Sequence, residues 1–300
     1  MDLPPLKRPR RVTALAYAKL NLHLEVLGRR PDGFHELRSL FQSVSLADRL
    51  TLTETRGGLR LRVNRDTVPA GPENLVLRAL EALRESFGVR RGADVRLVKR
   101  IPVGSGLGGG SADAAAALLA GARLWRLPLG PRRARALALR LGSDVPFCLR
   151  GGAAWMGGRG EKPIRRGRLP LFHAVVSYPG FQSSTAEAYR GLKRPLTSKW
   201  TESSVSDYSF ASFAGAKFVS DGSNDFEPLL LAKYARLRRL KRLFEAGGAR
   251  GVRLTGSGSA MFGLVPGGGF ARALVRRLRA AGFEAWAVFP TEKGVQLSES

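Results

Sequence analysis

Between Pro102 and Asp113 the chain reads PVGSGLGGGSAD, and no other stretch restricts the possible folds as strongly. Gly104, Gly106, Gly108, Gly109 and Gly110 crowd into this run, and Gly121 follows further on. Ahead of it, Ala93 to Ile101 (ADVRLVKRI) alternates apolar and polar residues as a half-buried strand does. Behind it, Ala112 to Trp125 is strong helix former. Strand, glycine loop and helix N-terminus together present unpaired backbone N–H groups to an anion. Glycine suits such a loop because a side chain would block close approach of the backbone and because several positions require φ > 0. Ser111 falls near the helix N-cap, where its hydroxyl can cap the helix or donate to a phosphate oxygen. The run reads as a phosphate cradle rather than as a turn alone.

Two common phosphate-binding schemes do not fit it. Gly104-x-Gly106-x-x-Gly109 matches the dinucleotide fingerprint in form, but that scheme needs an acidic residue roughly 20 positions on to hold a ribose hydroxyl. No Asp or Glu lies between Asp113 and Asp144. The Walker-A pattern fails as well, since no Lys-Ser or Lys-Thr follows the glycines.

The charge of the chain could point elsewhere. A net charge of +26 is the footprint of many nucleic-acid binders. Arginines are spread along the whole sequence, however, with clusters at Lys7 to Arg11, Arg132 to Arg140, Arg236 to Arg242 and Arg272 to Arg279. In the last three, Leu and Ala occupy the opposite helical face, the pattern of a solvated surface. Nucleic acid is therefore the lesser alternative, and attraction of a polyanionic small molecule fits the same charge. The single cysteine, Cys148, excludes an intramolecular disulfide and suits a reducing cytoplasm. No apolar run approaches the length of a membrane span, so a soluble, cytoplasmic monomer or homodimer is expected.

In chain order, Val12 to Leu27 alternates as a strand, placing Lys19, Asn21, His23 and Glu25 on one face opposite Leu20, Leu22, Leu24 and Val26. Arg30 to Gly33 is a turn that delivers Phe34 and His35. Helices are expected over Glu73 to Phe87 and Pro131 to Leu141, and Ser143 to Pro146 is a polar turn. From spacing alone, Asp144 reads as a cap or turn residue and His35 as a structural histidine. A boundary near Gly160 divides the chain into units 1–160 and 161–300. Leu171 to Tyr178 reads as a strand, Ser184 to Leu192 as a short helix and Lys193 to Ser223 as a long, mobile loop. A helix over Asn224 to Glu245 leads to strand, glycine turn and strand through Gly251 to Val265, then a helix over Phe270 to Ala281 and a last strand, Phe283 to Phe289. Strands and helices without βαβ regularity make this an α+β protein.

These segments resemble the GHMP kinase superfamily. PVGSGLGGGSADAA is similar to its phosphate-binding motif, and LTGSGSAMFGL (Leu254 to Leu264) to its later glycine-rich motif. AYAKLNLHLEVLGRRPDGFHEL, ENLVLRA, LGSDVPFCLRGGAAWMGGRGE, STAEAY and NDFEP resemble the branch that phosphorylates a cytidine-diphosphate-linked methylerythritol, rather than its homoserine or mevalonate relatives. The resemblance implies a two-domain fold, with an N-terminal ATP-binding domain and a C-terminal ferredoxin-like substrate domain. It implies ATP with Mg²⁺, and names no protein ligand for the metal. It makes Asp144 the base that takes the proton of the acceptor's 2-hydroxyl, Lys19 the cation holding that carboxylate, and Asn21 a substrate contact. His35 would read the cytosine edge between aromatic walls Phe34 and Tyr189, with Thr185, Gly256 and Ser257 also against the substrate. Asn74 and Lys99 would surround the adenosine of ATP, and Pro102, Gly104, Gly106, Leu107, Gly108, Gly109, Gly110 and Ser111 its phosphates. The family usually carries Tyr where this chain has Phe34, and Lys193 to Ser223 has no clear counterpart in it.

Overall fold

The computed structural model describes residues 10–192 and 222–299. Among these residues two sheets form, and the longest strands belong to the first. Strand β1 (Arg11–Arg29) turns at Arg30 to Phe34 into β2 (His35–Thr55). β3 (Leu59–Val63) and β4 (Gly92–Val98) follow, and β5 (Ala153–Gly157) and β6 (Lys162–Gly167) complete the side next to β2. The last strand, β11 (Val295–Glu299), closes the other edge by pairing with β1. The order is β11-β1-β2-β4-β3, with β5 and β6 branching from β2. β2 divides its free edge, Ser39 to Gln42 pairing with β5 and Arg49 to Thr55 with β4.

Helices α1 (Leu75–Phe87), α2 (Gly109–Leu124), α3 (Pro131–Leu141) and α4 (Val145–Arg150) belong to this lobe. Asn74 caps α1, its Oδ1 accepting from the Val76 amide at 2.9 Å, and Gly88 ends the helix at φ 64°. α2 is almost wholly buried, and its alanines let it lie close to β1 and α1. Side chains from the strands and these helices make one core, with Leu50, Leu52, Leu80, Trp125 and Phe147 nearly or fully inaccessible.

The second sheet has order β10-β7-β9-β8, from β7 (His173–Tyr178), β8 (Arg250–Leu254), β9 (Met261–Val265) and β10 (Glu284–Val288). Its connections carry α5 (Thr185–Gly191), α6 (Glu227–Lys233) and α7 (Ala235–Ala246) after β7, and α8 (Gly268–Ala280) after β9. Order and connections are those of the ferredoxin-like β-α-β-β-α-β unit. The two sheets meet through Leu20, Leu22, Leu40 and Trp155 on one side and Phe172, Val176, Phe262 and Leu264 on the other.

Several expectations change in detail. The sheets part after Gly167, β6 staying with the first, and the chain returns to that sheet in β11 after the strand expected to be last. Asn224 to Glu245 is two helices, broken where Tyr234 takes an extended conformation (φ −117°, ψ 105°). The polar turn expected over Ser143 to Pro146 runs into the short helix α4 from Val145 onward. The expected loop Lys193 to Ser223 lies, apart from its last two residues, outside the described residues.

Candidate active site

The loop between β4 and α2 takes its shape from three glycines at positive φ: Gly104 (63°), Gly106 (81°) and Gly108 (70°). At Gly106 a Cβ would also stand 2.1 Å from the Thr255 carbonyl, so both conformation and space exclude a side chain. Ser105 is buried, its hydroxyl donating to the Pro102 carbonyl at 2.7 Å, and the Ala260 amide donates to the Ser105 carbonyl at 3.0 Å. Gly108 is the N-cap of α2 and supplies no side-chain cap, leaving the first-turn N–H groups for an anion. Ser111 is therefore the third residue inside the helix and not its cap.

Strand β1 is tied directly to this loop, since the Lys19 amide donates to the Leu107 carbonyl at 3.0 Å. Register shifts at Tyr17/Lys19 and Asn21/His23 interrupt the β1–β2 pairing here. Lys19 and Asn21 are buried rather than half-exposed, at 4% and 2% accessibility, because the glycine loop and the second lobe cover their face. The Lys19 stem packs on Gly108, where a Cβ would lie 3.0 Å from its Cγ. Its ammonium donates to Asn21 Oδ1 at 2.6 Å, lies 3.5 Å from Asp144 Oδ2 and sits 4.9 Å from the Phe41 ring centroid. Asp144 occupies the N-cap position of α4, yet its carboxylate makes no capping bond and keeps 28% exposure.

A second charged group lies beneath the helix start. Lys99 is buried between Asp48, at 2.5 Å, and Asp113, at 2.7 Å. Asp48 also accepts from the amides of Arg100 and Ile101. Burial alone would lower the Lys99 pKa, but the two carboxylates outweigh it and raise it. Burial, aided by Asp48 and opposed by Lys99, pushes Asp113 up to about 8, and its Oδ1 has no hydrogen-bond partner. Lys99 thus sets its charge against Asp48 and donates a hydrogen bond to Asp113.

At the other end of the cleft are the aromatic residues. His35 stacks on Tyr189 (centroids 4.6 Å apart, planes at 18°), and Tyr189 meets Phe226 edge-on at 4.9 Å. Phe34 is half exposed, with the Arg159 guanidinium 4.5 Å from its ring centroid. Burial, then the charge of Arg29, lowers the His35 pKa. Burial, with Asp144 nearby, pushes the Tyr189 hydroxyl up to about 12. Thr185 at the start of α5 and Ser257 in the turn between β8 and β9 share a hydroxyl–hydroxyl bond of 2.8 Å.

All these parts line one cavity of about 1290 Å³. It brings together Lys19, Asn21, Phe34, His35, Asn74, Lys99, Pro102, Gly104, Gly106, Gly108, Gly109, Gly110, Ser111, Asp144, Thr185, Tyr189, Gly256 and Ser257. Leu107 stands apart, its side chain fully buried in the core between the sheets and only its carbonyl serving β1. Asn74 reaches the cleft with its carboxamide already engaged by the Val76 amide and the Pro69 carbonyl. Sequence reasoning missed Asp48, Asp113, Arg29, Arg159 and Arg190, of which all but Asp48 line the cavity. Asp113 and Arg159 stand inside stretches that carried the resemblance, whereas nothing around Asp48 marks it.

Comparison with known proteins agrees with this architecture. The model of the GHMP kinases N terminal domain matches residues 74–152, and that of the GHMP kinases C terminal matches residues 210–284. The 4-diphosphocytidyl-2-C-methyl-D-erythritol kinase of Pelotomaculum thermopropionicum is 43% identical over 269 residues, covering 89% of this chain and 94% of its own. A crystal structure of 4-(cytidine 5'-diphospho)-2C-methyl-D-erythritol kinase superposes with a TM-score of 0.78 at 38% identity, covering 93% of this chain and 98% of that one. Homoserine kinase from Cytophaga hutchinsonii shares the fold, with a TM-score of 0.70 at 19% identity, covering 99% of this chain and 100% of its own. Two lobes around a glycine-cradled helix start, with relatives this similar over nearly the whole chain, make it a member of the GHMP kinases, in the branch of the 4-diphosphocytidyl-2-C-methyl-D-erythritol kinases.

Proposed function

We propose that the protein transfers the γ-phosphoryl group of ATP to the 2-hydroxyl of 4-diphosphocytidyl-2-C-methyl-D-erythritol. The observation that carries this reading is the Lys19–Asp144 pair facing the same cavity as the start of α2, with Lys19 on a strand hydrogen-bonded to the phosphate loop. Asp144 takes the hydroxyl proton as the acceptor oxygen attacks phosphorus. Lys19 holds that carboxylate and offsets the charge that develops. The α2 N-terminus and the amides of the glycine loop hold the phosphates of the donor.

Magnitudes assign the work among these parts. A helix N-terminus contributes only about 0.3–2 kcal/mol toward holding an anion. Alignment of two bound reactants is worth roughly 7–11 kcal/mol, and a positioned base adds about 10²–10⁴ in rate. The cradle therefore chiefly orients, and Asp144 and Lys19 complete the chemistry. His35 lies below its ordinary pKa because of burial and Arg29, and so offers a neutral ring, one donor and one acceptor, to a base edge.

Mg²⁺ accompanies ATP in reactions of this kind and spreads the charge of the migrating group. Among the described residues no three His, Cys, Asp or Glu side chains converge. That donor set fits an ion carried mainly by phosphate oxygens and water, with the Ser111 hydroxyl at the cleft wall as the protein oxygen to hold it. Among the described residues no helix is long and apolar enough to cross a membrane, and with its one buried cysteine the protein suits the cytoplasm.

The test is an assay of ADP release with the nucleotide-linked acceptor, homoserine and mevalonate in parallel. The nucleotide-linked acceptor should turn over fastest, and Asp144→Asn should lose about 10²–10⁴-fold in rate while still binding ATP. Undiminished turnover in that variant would remove Asp144 from the role of base. Faster release with homoserine or mevalonate would reassign the acceptor.

A further inference from the structure

The stretch Asn224-Asp225-Phe226-Glu227 takes no part in the transfer described above, yet its side chains brace segments next to the cleft. Asp225 Oδ2 accepts from the Val26 amide at 2.8 Å, while the Leu24 amide donates to the Ser223 carbonyl and the Asp225 amide to the Leu24 carbonyl. The segment thus fastens to β1 just beyond Asn21. Phe226, fully buried, supports Tyr189 edge-on. Glu227 accepts from the Leu254 amide at 2.8 Å and pairs with Lys241 at 2.6 Å.

Asn224 occupies the centre of this arrangement. It is 5% exposed, and its Nδ2 donates to the Leu254 carbonyl at 3.0 Å and to the Gly256 carbonyl at 2.8 Å. Its Oδ1 accepts from the Phe226 amide at 3.0 Å. The two carbonyls it grips flank Thr255. That residue's hydroxyl accepts from the Asn21 amide at 2.9 Å and donates to Asn21 Oδ1 at 3.3 Å. Its carbonyl lies where a Cβ on Gly106 would stand, and Gly256 is packed as tightly, since a Cβ there would lie 3.0 Å from the Gly106 carbonyl and 3.3 Å from Asn21 Oδ1. The Thr255-Gly256 step is therefore wedged between the phosphate loop and Asn21, the hydrogen-bond partner of Lys19.

We propose that Asn224 is a positioning residue for phosphoryl transfer: its carboxamide, spanning the Leu254 and Gly256 carbonyls, sets the distance between the phosphate loop and the Asn21–Lys19 pair. The inference rests on the kinase reading given above. Only a carboxamide puts two N–H donors and one acceptor on a single planar head, matching two carbonyls and one amide here. An alanine leaves both buried carbonyls without this donor, and a carboxylate sets acceptor against acceptor. Asn224 faces neither the base end nor the adenosine end of the cleft, so its loss acts on alignment rather than on binding.

Asn224→Ala, Asn224→Asp and the parent are compared by steady-state kinetics per folded molecule, the folded fraction being set by circular dichroism. Both variants should lose about tenfold or more in kcat, with KM for each substrate held within about threefold. In Asn224→Asp the loss should shrink as pH falls, because a protonated carboxyl regains one donor, while the loss in Asn224→Ala stays level with pH. A folded Asn224→Ala with kcat within about twofold of the parent overturns the proposal. Should that variant not fold, a pH-independent ratio for Asn224→Asp overturns it. Hydrogen exchange of the ligand-free proteins separates this inference from the choice of acceptor. Faster exchange across residues 104–108 in the variants supports positioning even if the parent proves inactive on the expected acceptor, and unchanged exchange there overturns it.

Discussion

Asp113 shows how one buried carboxyl makes stability depend on pH. Burial and Asp48 raise it to about 8 from 3.8, so the folded chain keeps a proton there that the unfolded chain has already released. Stability is then lost as pH rises between those values, the reverse of an ordinary ion-paired carboxylate. Lys99 acts outside this window, since its raised pKa withdraws stability only above 10.5. Asp113→Asn should therefore gain thermal midpoint on the parent as pH is taken from about 5 to about 8. Midpoints that run parallel across that range would sink the idea. The side chain could be seen in the sequence, inside the glycine motif, but its partners could not. Asp48 lies far away along the chain, on the strand that sequence reasoning passed over, and only folding brings it to Lys99. His35 differs, since its spacing alone suggested a structural role, the resemblance set it beside Tyr189, and the fold stacks the two rings in the cleft.

Elements differ in how openly they were written in the sequence. α3 occupies the span its proline start and glycine end predict, and the glycine loop has the positive φ values expected of it. The loop predicts a contrast between two glycines. Gly106→Ala adds a Cβ 2.1 Å from the Thr255 carbonyl at φ 81°, whereas at Gly110 the nearest atom is Leu75 Cδ1 at 3.6 Å. Gly106→Ala should cost more than about 2 kcal/mol, and Gly110→Ala should be neutral or stabilise by up to about 1 kcal/mol through helix propensity. Denaturant midpoints measure both, and equal losses would mean that the packing around Gly106 relaxes. Strand β2 escaped notice because buried Ser39, Gln42, Ser43 and Asp48 interrupt its alternation. Those polar groups are tolerated because they are bonded, as when Gln42 Nε2 donates to the carbonyls of Ser43 and Thr291. The break at Tyr234 was equally hidden, since apolar spacing runs on across it. Arg238 makes the interruption tolerable by donating to the Leu231 and Ala232 carbonyls at the end of α6.

Across the whole molecule, the charge of +26 is the property whose consequence is hardest to read from sequence. The fold engages part of it internally. Arg236 donates to the Pro179 and Gly282 carbonyls, Arg277 to Ala246, and Arg279 to Ala285. The remainder forms a field that favours approach of a triphosphate. kcat/KM for ATP should accordingly fall as salt is raised from about 50 to about 300 mM while kcat holds, and a salt-independent kcat/KM would show that the field does not guide the substrate. Labelled RNA should show no shift at physiological salt, and a shift there would revive the nucleic-acid alternative. Two lobes were implied by the resemblance, with glycines near Gly160 marking a boundary, but the place where the chain recrosses between them was not legible. β11 completes the first sheet, and just before it the Tyr17 amide donates to the Gly294 carbonyl and the Gly294 amide to that of Arg150. During synthesis, β1 leaves the ribosome long before its partner β11 and must wait, one edge unpaired, until that strand has emerged. The phosphate-binding lobe therefore finishes folding only after every strand of the second sheet has been made, however early its own motifs appear.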